Sequence, residues 1–296
     1  MPDSPVIDVE GLTVTFGDFT AVRDLSFEVR RGELYALLGT NGAGKTSTLE
    51  VVEGHRRATS GTVRIFGASP DDRPAVRPRT GIMLQESGFS PDLTVAESVA
   101  LIGNLSGRDD SVDRVLDLVG LTRRASTIVA QLSGGEKRRL DFATAVYGAP
   151  ELLILDEPTT GLDIQSRDAL WAAVDRLRED GSTVVLTTHY LEEAQERADR
   201  IGLMHEGRLQ REGTVAELTQ TLPSVITFGL PPGAPEPPTV GALNGAFHVE
   251  TFHLQDDLHR LLVWAHDHGV ELEKLQAGPT RLDDVFRALD VGAPST

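Results

Sequence analysis

The stretch Gly39-Thr40-Asn41-Gly42-Ala43-Gly44-Lys45-Thr46 fits G-x-x-x-x-G-K-[ST], a spacing suited to holding a phosphate chain. Gly42 and Gly44 permit a positive-φ turn and a close main-chain approach to an anion. Lys45 is placed to reach β- and γ-phosphates and the Thr46 hydroxyl to hold Mg²⁺, while Gly39, Thr40, Asn41, Ala43 and Ser47 complete the cradle. The flanks agree. Glu33 to Leu38 is largely apolar and reads as a buried strand; Lys45 to Glu53 lacks glycine and proline and reads as a helix. A strand that turns through glycines into a helix aims backbone N–H groups and the positive helix end at one point.

Two further constellations bear on that phosphate. Leu152-Leu153-Ile154-Leu155-Asp156-Glu157 is an unbroken apolar strand ending in two carboxylates. In phosphate-loop proteins an acid at the end of a neighbouring strand holds Mg²⁺, which suits Asp156; Glu157, one residue on, is placed to take a proton from an attacking water. Thr183 to Thr188 is another buried strand, with His189 at its C-terminal end, and Thr80 to Gln85 a third, ending in an amide. Ligands of open α/β sheets gather at the C-terminal ends of strands, so the coincidence of Gln85, Asp156 and His189 weighs more than any one of them. Leu132-Ser133-Gly134-Gly135-Glu136 opens a helix with a capping box, Ser133 to Glu136, and two glycines that leave its N–H groups unobstructed. A capped helix start is common, and taken singly it marks no site.

The elements that must position these groups follow from periodicity. Residues 6–30 alternate apolar and polar, through Leu12, Val14, Phe16, Leu25, Phe27 and Val29, as short strands of an antiparallel sheet with turns at Gly17-Asp18 and Arg31-Gly32. Pattern alone favours core packing for Phe16. Ser60 to Gly67 reads as a strand pair and Pro70 to Pro78 as a loop, while about 90–148 is helical, with Val112, Val115, Leu116 and Val119 on one face and a stop at Gly120. Pro158 to Asp163 is a turn, after which Ser166 caps a helix that stops at Gly181. A hairpin turns at Glu206-Gly207, and Thr214 with Glu217 forms another capping box. Composition shifts near residue 221. Beyond the proline-rich loop at 231–238, Phe247 to Leu254 and Val270 to Leu275 read as strands, and Arg281 to Leu289 as a helix. Leu258, Leu261, Leu262 and Ala265 share one helix face. The expected division is 1–221 and 222–296, an α/β domain followed by a small α+β appendage. The histidines at 248, 253, 259, 266 and 268 match no metal-ligand spacing.

The net charge of −17 leaves no basic excess for nucleic-acid phosphates, and no nucleic-acid partner is expected. Without cysteine there are neither disulfides nor thiolate metal sites. No apolar run approaches the length needed to cross a bilayer, and no signal peptide opens the chain, so work at a membrane requires another chain to span it.

With these motifs in order, residues 6 to about 220 closely resemble the ATP-binding subunit of an ABC transporter. A phosphate loop occurs in many families; Leu132-Ser133-Gly134-Gly135-Glu136 just ahead of Leu155-Asp156-Glu157-Pro158 does not. Within the family, the chain looks most like drug-exporter subunits of the daunorubicin-resistance type, whose membrane partner belongs to the ABC-2 group. Thr159-Thr160-Gly161-Leu162-Asp163, Thr187-Thr188-His189-Tyr190-Leu191-Glu192-Glu193-Ala194 and Leu282-Asp283-Asp284-Val285-Phe286 carry that narrower likeness. The resemblance implies the phosphate-loop fold of ABC type, with an N-terminal antiparallel β subdomain, a helical insert and the C-terminal appendage. It implies ATP and Mg²⁺ as ligands, Phe16 stacked on adenine, Gln85 sensing Mg²⁺ and water, and Ser133, Gly134 and Gly135 on the γ-phosphate held by a second subunit. Glu157 becomes the general base, Asp163 the cross-subunit contact and His189 the γ-phosphate sensor. Two residues depart from the family pattern. Glu136 stands for the usual glutamine, adding negative charge near a phosphate, and Phe16 for the commoner tyrosine.

The implied mechanism needs two ATP-binding subunits head to tail, each completing the other's site, at the cytoplasmic face of a membrane, with a separate ABC-2 permease chain as partner. Two rivals remain. An ABC-type ATPase acting on DNA or ribosomes would be expected to carry a coiled-coil insertion or a second cassette; an importer subunit would carry a different appendage.

Overall fold

The computed structural model describes residues 4–85, 88–220, 223–238, 242–243, 246–279, 282 and 285. The alternating segment at the start forms β1 (Ile7–Phe16) and β2 (Phe19–Val29), which pair antiparallel with Phe16 opposite Phe19 at the hairpin end. β1 also pairs with β4 (Ser60–Ile65), completing a three-stranded sheet whose inward Ile7, Val9, Leu12 and Val14 are buried. Between them come β3 (Leu34–Gly39) and α1 (Lys45–Val52), the strand and helix that bracket the glycine-rich turn.

A six-stranded sheet has the order β5-β6-β7-β3-β8-β9, with β5 (Thr80–Met83), β6 (Leu152–Asp156), β7 (Thr183–Thr188), β8 (Arg200–His205) and β9 (Arg208–Gly213). Strands β5 to β8, with β3 among them, are parallel, and registers Met83↔Leu155, Asp156↔Thr187 and Leu38↔Thr188 bring their C-terminal ends to one edge. β3, β6 and β7 are buried at every position, which explains why their sequences are apolar runs rather than alternating ones.

The insert before β6 holds α3 (Val95–Ser106), α4 (Val112–Leu118) and α5 (Gly134–Val146), each capped at its N-terminus by Thr94, Ser111 or Ser133. α5 packs tightly on β5. A Cβ at Gly81 would come within 2.0 Å of the Ala145 carbonyl oxygen, so only glycine allows this approach. α6 (Ile164–Glu179) and α7 (Leu191–Arg197) follow β6 and β7.

Several expectations are corrected. Ser60 to Gly67 is one strand and a turn, because its partner is β1 rather than a second local strand. The stretch from Pro70 to Pro78 is not all loop: Asp72 leads into the helical turn α2 (Arg73–Val76), with Pro74 in the first turn, where its missing N–H costs nothing. The cap of α6 is Asp163 and not Ser166; the Asp163 carboxylate accepts from the Ser166 N–H at 2.7 Å.

Residues Met1–Glu212 and Gly213–Thr296 form two compact units. In the second, α8 (Val215–Thr219) starts at the expected Thr214–Glu217 box. A four-stranded sheet has the order β11-β12-β10-β13, with β10 (Ser224–Gly229), β11 (Ala242–Leu243), β12 (Ala246–Thr251) and β13 (Glu273–Gly278). Ile226, Phe228, Val249 and Leu261 of α9 (Leu254–Asp267) make its core. Leu262, expected on that buried face, is 45% exposed. Most of the helix expected at 281–289 lies outside the described residues, although Leu282 and Val285 are buried.

Candidate active site

β3 delivers the chain into the glycine-rich turn, and Gly44 turns it into α1 at φ 98°. No side chain fits there, because a Cβ would sit 2.5 Å from the Ala21 carbonyl oxygen. Lys45 lies over the turn and donates from Nζ to the carbonyls of Gly39 at 2.7 Å and Thr40 at 3.2 Å. Burial lowers its pKa, and the nearby Glu157 and Asp156 charges push the other way. The turn opens on a cleft of about 320 Å³ bounded by Phe16, Phe19, residues 41–47, Gln85 and Glu157. Two roomier surface depressions, about 710 and 720 Å³, lack the phosphate-loop donors, so convergent chemistry rather than volume selects the site.

The acidic end of β6 is built differently at its two positions. Asp156 is 6% exposed, and its carboxylate accepts a hydrogen bond from the Thr187 hydroxyl. Burial raises its pKa and repulsion from Glu157 adds to this, against the Thr187 bond and the Arg138 and Lys45 charges. Glu157 leaves the strand at φ 47°, in the left-handed region that costs a non-glycine residue about 1–2 kcal/mol. Its N–H donates to the Thr187 carbonyl at 3.0 Å, and its Oε1 stands 3.2 Å from His189 Nδ1. Gln85 lies two residues beyond β5, exposed at the cleft.

Phe16 is 42% exposed beside the phosphate loop rather than packed in the core, and Arg56 stacks over its ring at 4.2 Å. The hairpin turn between Phe16 and Phe19 is the reason: it carries both rings out of the sheet at its end. Among the described residues that bound the cleft, Ser133, Gly134, Gly135 and Asp163 are not found. Ser133 instead caps α5, accepting from the Glu136 N–H at 3.2 Å, while Glu136 accepts from the Ser133 N–H at 2.9 Å. The extra charge of Glu136 is met by Arg124 at 2.8 Å; the Ser133 N–H first, then this guanidinium, holds its carboxyl below the usual range. A Cβ at Gly135 would be 3.9 Å from the Gly161 carbonyl oxygen, so the helix start adjoins the turn that leads to Asp163.

Sequence reasoning missed three contributors. Phe19 is 61% exposed at the cleft, and its mirror-like placement with Phe16 across Gly17-Asp18 was its one available signal. Arg56 carried none. Arg138, in a basic run on a helix, reads as a solvated face yet is 7% exposed and bonds to the ends of β5 and β6.

Residues 22–160 match the family model "ABC transporter", and 224–280 match "ABC transporter domain-containing protein-like, C-terminal domain". The chain is 39% identical to Nod factor export ATP-binding protein I of Burkholderia lata over 75% of its length and 74% of that protein. It is 38% identical to the daunorubicin/doxorubicin resistance ATP-binding protein of Streptomyces peucetius, over 74% of this chain and 68% of that one. Its fold matches the dimeric post-hydrolysis structure of an ATP-binding cassette bound to ADP and Pi, with a TM-score of 0.65 at 25% identity, covering 70% of this chain and 98% of that one. The chain belongs to the ABC transporter ATP-binding family. It is an ABC ATPase, binding ATP and coupling its hydrolysis to transport.

Proposed function

We propose that the chain powers export of a drug-like or lipid-like molecule through a separate ABC-2 membrane chain, working as one of two cassettes that meet head to tail. The observation that carries this is the division of the site's parts. Phe16, the phosphate loop, Gln85 and Glu157 bound one cleft, while Ser133 to Gly135 present a capped helix end elsewhere on the same unit. A second subunit gives that helix end a phosphate to bind, and the dimeric form of the related cassette supports this.

In this reading Phe16 stacks on adenine, residues 39–47 wrap the phosphates with main-chain N–H groups, and Lys45 exchanges carbonyl partners for phosphate oxygens. The Thr46 hydroxyl, the Asp156 carboxylate and the Gln85 amide are hard oxygen donors suited to Mg²⁺, and a cation beside Asp156 offsets the burial and repulsion that raise its pKa. When bound, Mg²⁺ supplies charge neutralisation of the phosphate oxygens. Glu157 accepts the proton of an in-line water, His189 contacts the γ-phosphate beside it, and Asp163 lies at the subunit contact. ATP held by both halves joins them, and hydrolysis releases the joint. The appendage from about residue 222, within the unit that begins at Gly213, serves assembly with a second subunit or the permease.

Among the described residues no helix is long and apolar enough to cross a membrane, so the transport path is assigned to another chain. The test is co-expression with the neighbouring membrane protein and reconstitution into vesicles. ATP-dependent movement of cargo away from the cassette side is expected; movement toward it identifies an importer and overturns the export reading.

A further inference from the structure

Arg138 sits one turn into α5 and is almost wholly buried, and its guanidinium reaches main-chain carbonyls. Its guanidinium has five N–H donors, and five main-chain carbonyls receive them. Nη1 donates to Leu84 at 2.6 Å and Gln85 at 3.1 Å; Nη2 donates to Asp156 at 2.6 Å and Glu157 at 2.7 Å; Nε donates to Pro158 at 3.3 Å. These carbonyls belong to two segments that are far apart in the chain, the exit of β5 and the exit of β6. Both segments carry residues of the cleft.

The bond to Glu157 has particular weight. Residue 157 is held in the left-handed region, and its main chain is tied on the N–H side by Thr187 and on the carbonyl side by Arg138. A strained conformation persists only where its surroundings over-determine it. Without the Arg138 bond, the Glu157 carbonyl keeps only its 3.3 Å bond from the Thr160 N–H, and the peptide is held less firmly against rotation toward an unstrained φ that moves the carboxylate from its place 3.2 Å from His189.

We propose that Arg138 is a positioning residue for ATP hydrolysis: its five carbonyl bonds fix the Glu157 carboxylate and the Gln85 turn relative to α5, the helix that begins at Ser133. Arg138 lies four positions after Gly134, about 6 Å along the helix axis, so a shift of the helix start reaches both segments through one rigid lever. Contact of Ser133 to Gly135 with the partner's nucleotide then bears on the first subunit's own base. This step rests on the head-to-tail reading above, and the role of Glu157 as base rests on the same reading.

The test uses the full chain and measures steady-state ATPase rate and nucleotide affinity for Arg138→Gln and Arg138→Lys, alone and combined with Glu157→Gln. Arg138→Gln is expected to lower kcat at least tenfold while the Kd for Mg-ATP stays within about threefold. Arg138→Lys retains the charge but offers three donors instead of five, and should recover part of the rate. In the Glu157→Gln background each change should lower the rate by much less than it does alone, because only the Gln85 turn is left to position. A fully additive loss in the double variant, or a wild-type rate in folded Arg138→Gln, overturns the proposal. So does failure of both single variants to fold, which makes Arg138 a structural group. Should Arg138→Gln alone fail to fold, Arg138→Lys carries the same comparison. A normal rate in Glu157→Gln by itself overturns the base assignment, a separate failure.

Discussion

Replacing Glu157 by glutamine removes one negative charge and one basic oxygen while keeping the size of the side chain and every main-chain bond of residue 157. The N–H to Thr187 and the carbonyl from Arg138 are unaffected, and glutamine carries the same left-handed φ penalty as glutamate, so the fold should be conserved. The loss falls on chemistry. A positioned general base contributes about 10²–10⁴ in rate, equivalent to about 2.7–5.4 kcal/mol of barrier. Binding should move little and in the favourable direction, because repulsion from Glu157 is one cause of the raised Asp156 pKa, and its removal lets Asp156 ionise more readily. Kd for Mg-ATP is therefore expected to be unchanged or lower, and ATP should accumulate a stable two-cassette species. Phosphate release reports the rate, and sizing chromatography with and without ATP reports the dimer. A rate within threefold of wild type refutes the assignment of the base. A large rise in Kd refutes the charge argument.

Phe16→Ala should weaken nucleotide binding by about 1–3 kcal/mol, for ATP and GTP alike, since stacking is indifferent to the base; an unchanged titration curve would remove the ring from the site. Asp156→Asn should raise the Tm of the nucleotide-free chain at neutral pH, since the wild-type carboxyl has its pKa raised by burial. That advantage should fade as pH falls toward the ordinary value of 3.8, while the Tm gain from Mg-ATP should shrink in the variant; paired melts at pH 4 and 7 decide. Glu151, whose pKa is lowered to about 2 chiefly by its bond to Arg79 and then by Arg31, contributes stability above its ordinary 4.5 that is lost as pH falls through 2. Glu151→Gln should cost about 1 kcal/mol at pH 7, solvent screening the pair, and nothing near pH 2. A chain ending at Thr221 should keep Mg-ATP affinity and lose co-purification with its membrane chain; loss of ATP binding would place the appendage within the nucleotide fold.

Local chemistry was legible in the sequence wherever the motif was contiguous. The phosphate loop, the strand ending at Asp156 and the capping boxes at Ser133 and Thr214 depend on neighbours within a few residues, and all adopt the geometry that their spacing predicts. Legibility failed where a contact joins distant segments. Ser60 to Gly67 looked like a strand pair because its partner β1 lies some fifty residues earlier. Alternation assigned Phe16 inward; its place at the hairpin end, opposite Phe19, carries it out to the cleft instead. Asp163 was read as an intersubunit contact and its capping of α6 was overlooked, although an aspartate three residues before a serine N–H is a common helix start.

The two acids after Leu155 show what φ adds to a motif. In an extended strand, successive side chains point to opposite faces, so Asp156 and Glu157 should diverge. The left-handed turn at Glu157 breaks that alternation, and the two carboxylates instead interact closely enough for Glu157 to raise the pKa of Asp156. Asp156 stays within the sheet, bonded to Thr187 and shielded from solvent, where the proposed reading places a cation. Glu157 projects into the cleft beside His189, where that reading has it take a proton. In the proposed reading, one strained peptide separates cation binding at Asp156 from proton transfer at Glu157. Thr187 on one side and Arg138 on the other hold that peptide, which ties the division of roles to β7 and to the helix that starts at Ser133.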